Sequence, residues 1–370
     1  MTHADDKTST FDPEALTRIL HEAGELPPER RVLDVTSEPI DGGYLSDMTR
    51  LTLCYDNARA DDVVSAGQAP RSVVLKQPAG DDLARVVGTG MGMYAREVQF
   101  YRRLAPRIDV RTPRCFLSDL DEETGDFALL LEDIVDADVH EQDHVCPEAD
   151  LRLALDQAAR LHASYWNEPS LRDADWLLQL TPAGVQPWHE LYQDAWQALQ
   201  SWEGFNPTGP LRTLGDALAS ASVEAWIGSY DGPWTLTHAD FHLSNLLFVG
   251  RSSDTPERQV VVVDWQLATH ASPLVDVAFL LGRMPTEDRR RIEPAALASY
   301  HQMLLRHGVD DYTWSACQQD YSRWLWFGVL NAAIASVAYP IAPDELPRHM
   351  AKVERFLTQA LDHESLRYLG

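Results

Sequence analysis

The chain has 370 residues, 45% hydrophobic and 24% charged, which supplies the apolar material for one large or two medium domains and argues against a disordered or fibrous protein. Its 31 basic and 57 acidic residues give a formal charge of -26, so most of the surface repels duplex nucleic acid and anionic membranes, and a general nucleic-acid binder is not expected. Such acidity serves solubility first, and attraction of a cationic substrate second.

In chain order, the opening MTHADDKTSTFDPEAL is polar and acidic where an export signal would be basic and then apolar; residues 1–30 read as an N-terminal extension. Strands follow at 32–40 (VLDVTSEPI), 48–56 (MTRLTLCYD) and 72–79 (SVVLKQPA), then a helix through YAREVQFYRRLAP, then the strands CFLSDL and FALLLEDI. This predicts a small sheet with a helix packed on it over residues 31–135. The boundary is expected near Val135 to Asp138, where the apolar strand gives way to an acidic, irregular stretch. Residues 136–370 read as mainly helical, with EADLRLALDQAARLHASYW, WHELYQDAWQALQSW and RTLGDALASASVEAWIGSY carrying apolar residues at three- and four-residue spacing. One strand pair interrupts them, LLFVG and QVVVVDWQ. Trp324 to Ala342 runs without a charge for about a bilayer's width, but Asn331, Ser336 and Pro340 interrupt it; a buried core helix near a pocket is expected rather than a membrane span.

Cys54, Cys115, Cys146 and Cys317 lie far apart with no CxxC pair, so neither a disulfide framework nor a zinc site is indicated, and a reduced cytoplasm is the expected compartment. The only lysines are Lys7, Lys76 and Lys352. Lys76 has been kept inside an apolar run by a chain that otherwise uses arginine, where a compact ammonium can do what a planar guanidinium cannot. All eleven tryptophans fall between Trp166 and Trp326.

The strongest chemical signal is THADFHLSNLLF (237–248). Asp240 sits in a tight loop, Asn245 offers an amide oxygen five positions on, and a second apolar strand, VVVV, ends at Asp264. Magnesium takes hard oxygen ligands, one or two from protein and the rest from phosphate and water. The remaining carboxylate can then accept a proton from an attacking hydroxyl.

These residues resemble the small-molecule phosphotransferases of the aminoglycoside phosphotransferase and choline kinase superfamily. The ending DWQLATHASPLVDVAFLL is most similar to its ecdysteroid-kinase-like branch, and residues 30 to 345 follow the pattern in motif order and spacing. The resemblance implies an α+β, protein-kinase-like bilobal fold: a small N-terminal antiparallel sheet plus helix that binds nucleotide, and a larger, mostly helical C-terminal lobe carrying the catalytic loop and the acceptor. It implies ATP and magnesium as cofactors and a small-molecule hydroxyl as acceptor. Asp240 would be the base, Asn245 and Asp264 the magnesium ligands, and Lys76 the partner of the α- and β-phosphates, aimed by Glu97. Glu132 and Ile134 match the adenine-binding hinge, and Gly42, Gly43 and Ser46 the phosphate-covering turn. His238 and Asp276 match positions that hold the catalytic loop in shape. The loop is HAD rather than HRD, the magnesium strand ends in DWQ rather than DFG, no APE segment follows, and the glycine turn is shorter than GxGxxG. A protein substrate is therefore not expected.

Other readings weigh less. His238 and His242 have metal-ligand spacing, but Ala239 stands where HExxH needs glutamate, and no GxSxG elbow is present. His162 reads as a hydrogen-bonded core histidine. The tryptophans could line a pocket for an amphipathic alcohol such as a steroid or macrolide. Asp136, Asp138, Glu141, Asp143, Glu190 and Asp194 could instead receive a cationic acceptor. The alternative to an enzyme is a pseudokinase, a nucleotide- or ligand-binding module without turnover. Oligomeric state and the choice of ATP over GTP are not encoded in any of these motifs.

Overall fold

Period-two apolar patterning, interrupted by turns, builds the first unit of the computed structural model, which describes residues 11–40, 44–56, 69–141, 143–207, 209–250, 257–338 and 341–369. The described chain divides into two compact units, one formed by residues up to 106 with 112–136, the other by 107–111 with 137 onward.

In the first unit, β1 (Val32–Ile40), β2 (Ser46–Tyr55), β3 (Ser72–Pro78), β4 (Cys115–Leu120) and β5 (Phe127–Glu132) form an antiparallel sheet in the order β1-β2-β3-β5-β4. Helix α1 (Pro13–Glu22) precedes the sheet, and α2 (Asp82–Gly90) and α3 (Met93–Arg103) follow β3. The extension expected over residues 1–30 is, from Phe11 onward, part of this unit. Asp12 caps α1 by accepting the N–H of Ala15 at 2.8 Å, and Leu16, Ile19 and Leu20 pack with Val32, Leu51, Leu53, Val73 and Leu75. The sequence pattern also missed α2, a short helix started by Asp81, which accepts the Ala84 N–H at 2.9 Å.

The second unit opens with β6 (Asp138–Val139) and α4 (Glu148–Ser164), then α5 (Pro169–Arg172), β7 (Leu178–Gln179), α6 (Pro182–Leu199), α7 (Gly209–Ser220) and α8 (Val223–Ile227). The single helical segment expected over 212–230 is broken between α7 and α8, where Ser222 accepts the Ala225 N–H and starts a new helix. Next come β8 (Thr235–Thr237), β9 (Leu246–Val249), β10 (Gln259–Val262) and β11 (Thr269–Ala271). The expected pair β9–β10 is present, joined by β6 at its edge, and β7, β11 and β8 form a further small sheet. Two- and three-residue strands carry no readable periodicity, which is why the sequence pattern misses them.

Helices α9 (Leu274–Gly282), α10 (Thr286–Arg306), α11 (Trp314–Val337) and α12 (Leu346–Asp362) complete the unit. Every residue of α9 is buried, as a helix apolar on all faces requires. The uncharged run from Trp324 enters α11, whose Trp324, Leu325 and Trp326 are fully buried against α9, α6 and α12. No helix among the described residues is long and apolar enough to cross a membrane. Close packing at this centre depends on Gly328 and Gly282, since a Cβ on either would lie 2.4 Å from the Phe356 ring. Gly328→Ala should therefore cost about 1–3 kcal/mol, read as a lowered midpoint in thermal unfolding; an unchanged midpoint would show that Phe356 moves aside freely.

Candidate active site

Strand alternation places Lys76 in the middle of β3, opposite Met48 of β2 and Leu129 of β5, with Glu97 projecting from α3. The ammonium lies 2.7 Å from a Glu97 carboxylate oxygen, and both residues are buried, at 6% and 1% exposure. A buried lysine without a counter-charge would cost several kcal/mol, so Glu97 fixes both the charge and its direction. Ser46 opens β2, two residues before Met48. Its hydroxyl is buried and has no hydrogen-bond partner among the described residues. Gly42 and Gly43 lie outside the described residues. Glu132 ends β5 with its carboxylate accepting the Arg114 N–H at 3.1 Å, and Ile134 follows two residues later.

In the second unit, β8 runs into a loop whose backbone is held from below by one carboxylate. Asp276, fully buried in the first turn of α9, accepts the N–H of His238 at 2.8 Å and of Ala239 at 2.7 Å. The second contact stabilises Ala239 at φ +60, a left-handed conformation costly to a residue with a Cβ. His162 presents Nε2 to the same carboxylate at 3.1 Å and Nδ1 to the Tyr300 hydroxyl at 2.7 Å, so it is a hydrogen-bonded core histidine. The His238 ring ties the loop to the end of β10: Nδ1 accepts the Asp240 N–H at 3.3 Å, and Nε2 donates to the Val263 carbonyl at 2.9 Å.

Asp240 is thus presented on a rigid turn, half-buried. The Asn245 amide donates to its backbone carbonyl at 3.0 Å and its carboxylate at 3.3 Å. His242, which the sequence offered only as a spurious metal ligand, lies with Nε2 3.4 Å from that carboxylate. Burial pushes the Asp240 carboxyl up, but the His242 imidazole, joined by Arg283 and His238, outweighs it and holds the carboxyl well below the usual carboxylate range. Asp264 follows β10 at φ +66, and the hairpin brings it beside Asn245 through the Val263 N–H donating to the Asn245 carbonyl at 3.0 Å.

The donor sets suit the expected cofactors. Asn245 spends its amide nitrogen on Asp240, so its oxygen and the Asp264 carboxylate would make a pair of hard ligands, the number magnesium commonly takes from protein. No three His, Cys, Asp or Glu side chains among the described residues gather as a metal site. Lys76 and the orphaned Ser46 hydroxyl suit phosphate oxygens.

Beside the loop, Trp188, Trp226, Leu267, Trp324 and Phe327 line a narrow apolar crevice that reaches Ala239, the residue before Asp240. Two of the carboxylates that could have received a cation are already paired: Asp138 with Arg258 at 2.7 Å, and Asp143 with Arg348 at 2.6 Å.

Among solved structures, a macrolide 2'-phosphotransferase from Brachybacterium faecium is 18% identical over 93% of this chain and 97% of its own, with a TM-score of 0.50. Choline kinase from Cryptosporidium parvum is 12% identical over 95% of each chain, with a TM-score of 0.51. Aminoglycoside 2'-phosphotransferase-IIIa, solved with GDP, is 15% identical over 94% of this chain and 98% of its own, with a TM-score of 0.51. At these identities the likeness is one of fold, and the fold is the α+β, protein-kinase-like one. No curated protein matches the chain by sequence. The model of the ecdysteroid kinase-like family matches residues 41–309, most of the length, and the chain belongs to that family.

Proposed function

We propose that this protein is an ATP- and magnesium-dependent phosphotransferase acting on a hydroxyl of a small molecule with an apolar body. The observation that carries the reading is Asp240, a carboxylate held by Asn245 on a loop whose backbone Asp276 fixes. Phosphoryl transfer asks a protein mainly for positioning and charge neutralisation, and magnesium with ATP supplies the transferable group and most of that neutralising charge.

In this reading the chain's own residues divide the work. Lys76, aimed by Glu97, holds the α- and β-phosphates, and the Ser46 hydroxyl donates to a phosphate oxygen. Glu132 and Ile134 offer backbone groups to the base, while Asn245 and Asp264 hold the metal. Asp240 accepts the proton of the acceptor hydroxyl, and its low basicity suits a late, partial transfer rather than formation of a free alkoxide. The crevice beside Ala239 favours an amphipathic alcohol, whose rings would lie against Trp188 and Trp324.

The test is incubation of the purified protein with magnesium-ATP and pools of hydroxyl compounds, scored by ADP release and by mass spectrometry for an added phosphate. A phosphorylated amphipathic alcohol is the expected product. Tight magnesium-ATP binding with no product from any pool would favour a binding module without turnover, and absence of that binding would overturn the reading altogether.

A further inference from the structure

One face of α12 is at odds with the rest of this acidic chain. Arg348, Lys352 and Arg355 stand at i, i+4 and i+7, so they share a helix face, an arrangement of like charges that destabilises an isolated helix. Arg283, at the C-terminal end of α9, lies beneath them; its guanidinium sits 5.2 Å over the Phe279 ring and its carbonyl accepts from Arg355 at 3.0 Å. The carboxylate of Asp143 takes up two of the cations, Arg348 at 2.6 Å and Arg355 at 3.4 Å.

Lys352 is left over. It is half-buried, and its ammonium makes no hydrogen bond or ion pair among the described residues. Burial, and after it the Arg283 guanidinium, push it down to about 8, against the pull of Asp143 and Asp240. The same surroundings act on His349, which burial and then Lys352, Arg348 and Arg283 push down to about 4. The cluster sets Arg283, Arg348, Lys352 and Arg355 against Asp143 and Asp240, with Glu141 and Glu345 also acting on Arg348, and of the three cations on the α12 face Lys352 alone has no carboxylate in contact among the described residues. Stability gives no reason to keep a desolvated lysine there, in a chain with so few lysines. Ring contacts lead from this cluster to the candidate base: Arg283 lies over Phe279, the Phe279 ring packs 6.4 Å from that of His242, and His242 approaches the Asp240 carboxylate at 3.4 Å. The aromatic path agrees: Phe327 of the apolar crevice packs on Phe279 at 6.3 Å, and Phe279 lies under Arg283.

We propose that Lys352 and Arg283, braced by Arg348, Arg355 and Asp143, form an oxyanion subsite of the acceptor pocket, so that the acceptor is an amphipathic alcohol bearing a carboxylate, phosphate or sulfate. The proposal deepens the phosphotransferase reading and rests on it for the word acceptor. Asp240 would take the hydroxyl, the tryptophan-lined crevice the apolar body, and the ammonium of Lys352 the anionic end. The nucleotide's terminal phosphoryl is the other source of the same chemistry.

The discriminating variant is Lys352→Gln, which removes an ammonium that makes no hydrogen bond or ion pair among the described residues and should fold as well as the wild type. Inorganic phosphate is titrated calorimetrically into both proteins at fixed ionic strength, followed by magnesium-ADP and magnesium-ATP. Phosphate is expected to bind the wild type and to bind Lys352→Gln about tenfold more weakly, with both nucleotides bound equally by the two proteins. Phosphate binding that is absent from the wild type, or equal in both, overturns the subsite. A loss confined to magnesium-ATP assigns the cations to the nucleotide's terminal phosphoryl and overturns the acceptor assignment. Arg283→Gln should act in the same direction, but it is buried, so Lys352→Gln decides the matter if that variant does not fold. Phosphate binding needs no turnover; failure of the phosphotransferase reading appears in the acceptor pools instead, and the two failures are distinguishable.

Discussion

Asp240→Asn is expected to lower turnover by roughly 10²–10⁴-fold, the usual worth of a positioned general base, while leaving magnesium-ATP affinity nearly intact. The substitution keeps the side chain's shape and an oxygen able to accept from Asn245, so the loop should hold its form. What disappears is the ionised carboxylate that His242, Arg283 and His238 stabilise against burial. Losing it also leaves the cations around it less compensated, so an anion at Lys352 should bind the variant no more weakly than the wild type. Steady-state ADP release with the acceptor found in the pooled assay, set beside calorimetric nucleotide binding, separates the two quantities. Unchanged turnover would remove Asp240 from the chemistry. Loss of nucleotide binding in proportion to turnover would make it a metal or phosphate contact instead.

The parts of this site that could be read from sequence are those whose chemistry lies in short-range order. Asp240 and Asn245 share one loop, Asp264 ends the next apolar strand, and Lys76 stands out because the chain has almost no other lysine. The sheet of the first unit was legible for the same reason, since strands of six to ten residues show their period. What sequence could not give was convergence from afar. Arg283 and Lys352 reach the neighbourhood of Asp240 from the end of α9 and from α12, and on α12 the i, i+4, i+7 spacing of basic residues reads as an ordinary solvated face until Asp143 and the burial of Lys352 are known. Likewise His242 was visible, but only its 3.4 Å approach to Asp240 reveals a neighbour of that carboxylate where the spacing suggested a metal ligand. The orphaned hydroxyl of Ser46 is also a fact of burial, not of order.

Asp276 is the position where stability and chemistry should fail together. Its carboxylate is fully buried and receives three groups, the N–H of His238, the N–H of Ala239 and the ring of His162. Asp276→Ala leaves all of these without an acceptor in a place water does not reach, and a broken buried charge network of this kind typically costs about 3–5 kcal/mol. The cost should be visible as a lower midpoint in thermal or urea unfolding. The effect on turnover has a separate cause. Ala239 is held at φ +60 by its hydrogen bond to Asp276, and without that bond the peptide gains by relaxing to a right-handed or extended conformation, which rotates the following residue, Asp240, away from its place beside Asn245. Turnover measured well below the unfolding midpoint should therefore fall even though the protein is folded. Nucleotide affinity should fall less, because Lys76 and Glu97 are in the other unit. Asp276→Asn, which retains one carbonyl oxygen, is expected to lie between the two. A variant that loses stability but keeps full turnover at low temperature would show that Asp276 supports the core alone and that the left-handed turn at Ala239 holds itself.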